Sequence, residues 1–206
     1  MRNKFLCTVA FSIISVGNIS TAGNLSLYSF TEGAADEGMP NLTSGDENVA
    51  IGDEALKANT SGSNNTAIGD EALKSNTSGS DNTAIGKNSL YTNTSGSKNV
   101  AIGVEALKFN RTGTNNVAIG FEALQRNTTG QKNVAIGAQS GYSNTTGVQN
   151  TSVGHEALEA NTTGYRNTAL GDSSLKLNSN GFENTGIGVY SLDANTTGDR
   201  NTAVGV

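Results

Sequence analysis

Polar and apolar positions along this chain recur with a period of 17 residues, most plainly at Asn65 to Asn82, NTAIGDEALKSNTSGSDN. Asparagine stands at 48, 65, 82, 99, 116, 133, 150, 167, 184 and 201 without a gap, and a glycine follows each four residues later. Between them the pattern is x-Ala-aliphatic. Leucine fills a third column (56, 73, 90, 107, 124, 158, 175 and 192), broken by Gly141. A second Asn column runs from Asn59 to Asn195, and a second Gly column from Gly62 to Gly198. Nine complete periods pass without insertion or deletion. Such self-similarity specifies a repeat architecture, in which each unit is too small to bury its own apolar face and relies on its neighbours.

Within a period, Asn-x-Ala-Ile-Gly alternates polar and apolar residues and ends on Gly, which predicts a short strand. The stretch from Asp53 to Asn59 is less decided. Acidic residues early and Lys late suit a helical turn and its dipole, whereas Lys87-Asn88-Ser89-Leu90-Tyr91-Thr92 at the same place looks like a strand. A short second strand or irregular turn is expected, with a one-turn helix as its rival. Asn-Thr-Thr-Gly then reverses the chain, since Asn and Gly accept positive φ.

Stacking these units predicts an all-β fold, a parallel β-solenoid or β-roll of 17-residue rungs. Adjacent residues of a strand face opposite sides, so the Ala50 and Ile51 columns cannot both enter one thin core. The column left outside forms an apolar stripe, which points to contact with another chain. Asn amides stacked in register about 4.8 Å apart can hydrogen-bond along the axis. The same columns contain formal N-glycosylation sequons, among them Asn59-Thr60-Ser61, Asn76-Thr77-Ser78 and Asn127-Thr128-Thr129. The turn needs Asn beside small hydroxyl residues in any case, so the structural reading is preferred.

Composition narrows the picture. Only 34% of the 206 residues are hydrophobic and 5% aromatic, with 26 Gly, one Pro and no Trp. A thick globular core is out of reach, but a core one rung deep and repeated is not. Low hydrophobicity also suits disorder, yet a disordered chain has no reason to hold Ala, Ile and Leu in register. Residues 1–22 read as a cleaved secretory signal: Arg2 and Lys4, an apolar run from Phe5 to Val16, then Ser20-Thr21-Ala22. Residues 23–42 read as an N-terminal capping segment and acidic loop, with Leu25, Leu27, Tyr28 and Phe30 suited to a short strand over the first rung. The repeat solenoid is expected over 43–206. Beyond the signal the chain has no Cys and carries 11 Lys+Arg against 18 Asp+Glu. That acidic balance argues against nucleic acid as a partner and against membrane insertion of the mature chain.

Asn-Thr-Ala-Ile-Gly-x-x-Ala/Ser-Leu, repeated from Thr43 to Val206, resembles the head repeats of trimeric autotransporter adhesins, the YadA-like haemagglutinin heads. With Asn-Thr-Thr-Gly following, it is also similar to tail-fibre-type repeat proteins. The resemblance implies a left-handed parallel β-roll, three copies about a common axis, and attachment to host cells or matrix. It places the chain on the bacterial outer surface or in secretion.

Chemistry is sparse. His155 is the only histidine, and no second His or Cys completes a metal set. Carboxylates occupy variable columns, with no cleft to pair them for hydrolysis. Phosphate-loop spacing and calcium nonapeptides are absent. The expectation is no enzyme, with no catalytic residues, no metal and no cofactor. Seven aromatics lie off the repeating columns: Tyr91, Phe109, Phe121, Tyr142, Tyr165, Phe182 and Tyr190. They are the candidate surface for binding, because aromatics are favoured at recognition sites, and packing between subunits explains them equally. The leading expectation is a homotrimeric adhesin head that binds a host extracellular-matrix protein or glycan. A structural fibre or tail-fibre-like shaft without ligand is the alternative. An ice-binding solenoid is the third, suggested by Thr at 60, 77, 94, 128, 145, 162 and 196 and weakened by Arg111 and Ser179 in that column.

Overall fold

A computed structural model describes residues 25–27 and 44–206; the expected signal segment lies outside the described residues, as does most of the expected cap. Eleven three-residue strands form one parallel sheet in sequence order: β1 (Leu25–Leu27), β2 (Val49–Ile51), β3 (Thr66–Ile68), β4 (Thr83–Ile85), β5 (Val100–Ile102), β6 (Val117–Ile119), β7 (Val134–Ile136), β8 (Thr151–Val153), β9 (Thr168–Leu170), β10 (Thr185–Ile187) and β11 (Thr202–Val204). From β2 to β11 each residue pairs with its counterpart one period on, Ala67 with Ala84 and Ala84 with Ala101. The fold is therefore the expected parallel β-solenoid, and the described residues contain no helix.

The strand settles which apolar column is inside. Ala50, Ala67, Ala84, Ala101, Ala118 and Ala135 are buried, and Ile85, Ile102 and Ile136 stand on the outer face, each more than a third exposed. The core is completed by Ala55 and Leu56 and their equivalents, also buried. It is one alanine and one leucine deep.

The stretch after the strand is neither helix nor second strand. It is a run of tight turns in which Gly52, Glu54 and Leu56 all have positive φ, repeated through the stack to Tyr190 and Leu192. A bulky residue in the left-handed region is an outlier, and here it recurs because the backbone donors from Ala55 to Asn59 then all find acceptors. Ala55, Lys57 and Asn59 N–H donate to carbonyls three residues back, and Leu56 and Ala58 N–H donate across to Ala72 and Lys74 of the next rung. Alternating handedness turns successive amides alternately inward and along the axis, so the axial bonds offset the local strain.

The two glycine columns have different reasons. At Gly52 φ is +127 and a Cβ would stand 2.6 Å from Gly69 O. At Gly62 φ is ordinary, which corrects the expectation of positive φ in this turn. A Cβ there would overlap Gly79 O and the Asn59 side chain. Close packing alone demands that glycine.

The Asn columns are buried ladders. Asn65 donates its backbone N–H and its Nδ2 to Asn48 Oδ1, at 3.0 and 3.1 Å. In the second ladder Asn76 Nδ2 donates to Asn59 Oδ1 at 3.0 Å. Within each rung the ladders meet: Gly79 O accepts from Asn65 Nδ2 at 2.9 Å and from Asn76 Nδ2 at 3.0 Å. One glycine carbonyl thus ties together two sides of the turn, and a buried amide satisfies donors that would otherwise be orphaned.

Candidate functional site

Two surfaces of this stack offer themselves to a partner. The first is the outer face of the sheet. The Ile51 column and the Val49 column point outward together because strand residues two apart share a face. Val, Thr, Ile and Leu fill all of these positions from Val49 to Val204, and none is charged. The result is a straight, uncharged, largely apolar stripe, with Leu170 and Ile136 among its more exposed members.

The second is the outer side of the turns, where the column residues vary. The seven aromatics lie on this side but are not brought together. Tyr91 and Tyr142 occupy the Lys57 column, Phe109 the Ala58 column, Phe121 the Asp53 column and Tyr190 the Glu54 column. Tyr165 and Phe182 occupy the Ser63 column and stack face to face, with ring centres 4.8 Å apart and planes 2° from parallel. Stacked rings cover each other's faces, so this pair offers mainly edges. Arg166 lies by Tyr165 and Arg200 over Phe182. Phe109, Phe121 and Tyr190 are exposed, and Tyr91 and Tyr142 are half-buried under Lys74 and Arg126 respectively.

Charges between them are mostly committed. Lys74 bridges Glu54 and Glu71. Hydrogen bonds from Lys57 and Lys74 hold the Glu54 carboxyl below its usual range, and the two carboxylates raise Lys74 well above the usual ammonium value. Lys176 lowers Glu156 in the same way, and Arg200 with Arg166 lowers Glu183. His155 is exposed beside Asp172, with Nδ1 3.2 Å from Oδ1. Among the described residues no group of three or more His, Cys, Asp or Glu is placed to hold a metal ion, and no helix is long and apolar enough to cross a membrane.

Side-chain access differs from what free Asn and Thr columns would offer. Asn59, Asn76 and Asn127, the first residues of formal sequons, have no exposed surface, and their amides donate inside the stack. Glycans cannot be carried there once the rungs are folded. In the Thr column, Thr60, Thr77 and Thr128 donate their hydroxyls to the carbonyl of the next rung at 2.8–3.0 Å. Those donors belong to the fold.

Sequence reasoning met Arg111 only as a break in the Thr column and passed over Arg126. Arg111 replaces Thr in its column and Arg126 replaces a small residue in the next rung, and together with Phe109 and Thr128 they line an open groove of about 350 Å³. The signal was there: two deviations from the repeat in consecutive periods, at neighbouring columns. A small cavity of about 10 Å³, at the lower limit of what admits one water, lies instead inside the stack against Gly141, Ser152, Leu124 and Leu158.

No family, no curated protein and no solved structure matches this chain.

Proposed function

We propose that this chain is the head of an extracellular, surface-displayed attachment protein of the trimeric autotransporter kind, assembled as a homotrimer through the outer sheet face. The carrying observation is the Ile stripe. Over nine inter-strand steps of about 4.8 Å it runs roughly 43 Å, without a charge at any position. Soluble monomers rarely leave so continuous an apolar surface open. Its best complement is another copy of itself, because the repeat gives a parallel neighbour the same axial spacing and side chains in matching register. The turn side, with its variable aromatics and charges, then faces outward on each copy, where many weak contacts add through avidity.

The test is assembly. Light scattering on the chain from Gly23 onward should give a trimer. Ile102→Lys, Ile119→Lys and Ile136→Lys together should give a folded monomer with an unchanged β-type spectrum. A stable wild-type monomer would overturn the reading. Trimers that retain no affinity for cells, matrix proteins or glycans would favour a structural fibre instead.

A further inference from the structure

We infer that the groove between Arg111 and Arg126 is a binding site for an acidic polysaccharide, a sulfated or uronate-bearing glycan laid along the solenoid axis. The inference deepens the attachment reading by naming a ligand class, and it begins from charge. Residues 82–132 carry six Lys and Arg against two Glu, in a chain of net charge −5. Both acids of this segment have close polar partners. Glu105 binds Lys108 at 2.8 Å and accepts from Gln125 at 2.6 Å, and Glu122 accepts from Gln139 at 2.8 Å. Residues 133–149 have no charge at all, and the described segments beyond, 44–81 and 150–206, are net acidic. A polyanion is therefore attracted to the middle rungs and repelled on either side.

Within that segment the groove is specific. Arg111 and Arg126 are exposed, come from consecutive rungs and have no carboxylate within ion-pair distance among the described residues. By contrast Arg166 and Arg200 are both held by Glu183, at 3.1 and 3.0 Å. A free guanidinium presents a planar fork matched to carboxylate or sulfate oxygens. The Arg126 fork is braced, stacked 5.1 Å from the centre of the Tyr142 ring. Phe109 lies at the groove with 42% of its surface open, an apolar face for the C–H side of a sugar ring.

The wall offers side chains and no free main-chain donor. Phe109 N–H donates to Gln125 O, Arg111 N–H to Thr128 O and Arg126 N–H to Tyr142 O, at 2.9–3.0 Å. An acidic peptide that recognises its partner by strand addition needs a free edge, and this groove has none. A sulfated sugar chain needs only forks, a ring and hydroxyls.

The experiment is calorimetric titration of the trimeric or monomeric protein, as it exists in solution, with a size-defined heparin-type octasaccharide. Its desulfated counterpart and an octaglutamate peptide serve as comparisons, at low and at physiological salt. Arg111→Thr with Arg126→Ser restores residue types that other rungs carry in those columns, so the variant folds. It should weaken octasaccharide binding at least about thirtyfold, the loss of two bidentate contacts. Arg111→Lys with Arg126→Lys, which keeps charge and removes the fork, should weaken it by about three- to tenfold. Phe109→Ala should weaken it by a similar amount, and Arg166→Gln with Arg200→Gln should leave it within twofold. Octasaccharide binding that survives Arg111→Thr/Arg126→Ser, no binding at low salt, or tighter binding of octaglutamate would each overturn the inference. Assembly is read separately: a trimer that ignores the glycan sinks this inference alone, and a glycan-binding monomer sinks the homotrimer alone.

Discussion

The stack falls into two parts that share a period and differ in their cores. From Ala50 to Ala135 the buried alanines and leucines form one unbroken cluster, and from Ala157 to Leu175 a second, smaller cluster with Leu192 packed against it. The break is local. At Gly141 the leucine column loses its side chain, and Ser140 and Ser152 replace alanines and bond each other at 2.7 Å. The Asn ladder is thinned at the same step: Asn150 N–H still donates to Asn133 Oδ1, but Asn150 Nδ2 bonds only Gly164 O. Past the break Ser174, Gly186 and Ser191 continue the drift toward small and polar residues. A repeat protein is a sum of unit and nearest-neighbour terms. One weak step therefore limits how far cooperativity spreads while leaving the architecture intact.

The largest effect separates inside from outside in the first part. Ala118→Glu places a carboxylate in the dry core with no partner, at a penalty of several kcal/mol. It should abolish the native β-type circular dichroism around room temperature. Ile119→Glu, one residue on and facing out, should leave the spectrum and act on assembly alone. Equal loss of structure from both would show that the strand has no single buried face.

The ladder gives the next comparison. Asn116→Ala removes the Oδ1 that accepts from Asn133 N–H and Nδ2, and the Nδ2 that donates to Asn99 Oδ1 and Gly130 O. Leaving such buried groups unpaired should lower stability by about 2–4 kcal/mol in urea unfolding. Asn150→Ala, where the ladder is already short of one bond, should lower it by about 1 kcal/mol less. A reversed order would mean the step at Asn150 is as strong as its neighbours.

Repairing the break sharpens the same point. Gly141 has φ +61, close to the +48 to +55 of the leucines in its column, so a leucine there takes on only the left-handed strain that its column already tolerates. Its Cβ would lie 3.0 Å from Leu124 Cδ2, which must give way slightly. Ser140→Ala, Gly141→Leu and Ser152→Ala together should raise stability by about 1–3 kcal/mol. Native-state hydrogen exchange should then show protection extending evenly through Leu158 and Leu175. No change in either measurement would mean that the two clusters already unfold as one.

The smallest effect is acid sensitivity. Because Lys57 and Lys74 depress the Glu54 pKa in the folded chain, the interaction contributes fully above the unfolded glutamate value of about 4.3 and is lost as pH falls through the depressed folded value. For a partly exposed pair the contribution is under about 1 kcal/mol. Glu54→Gln should flatten the stability profile below about pH 4.3 while leaving neutral-pH stability within about 1 kcal/mol. An unchanged profile would remove the pair from the account.

Period, parallel register and axial Asn bonding were legible in the residues, because each needs only identical side chains at identical intervals. The choice between Ala and Ile as the inner column was not, since alternation assigns them opposite faces without saying which is in. Size decides it: with a leucine from each rung already in the core, a small residue (Ala, or Ser152 and Gly186 in two rungs) takes the place beside it and the larger aliphatic faces out. The turns at Glu54 and Leu56 were hidden because neither residue type signals a left-handed backbone, and the axial bonds that impose it come from other rungs. The same applies to Arg111 and Arg126, 15 residues apart in the chain and neighbours only after stacking.

Consider a pull applied to the two ends of the stack. The chain leaves each rung at its rim, so load falls on one interface at a time and the outermost rung peels before the next is touched. Each event frees 17 residues, about 58 Å of extended chain, and removes about 4.8 Å of axial length. A single-molecule trace of this protein should be a sawtooth of equal teeth roughly 53 Å apart. The Asn–Gly–Asn tie in each rung sets the height of a tooth, and the thinned step at Asn150 marks the shortest one.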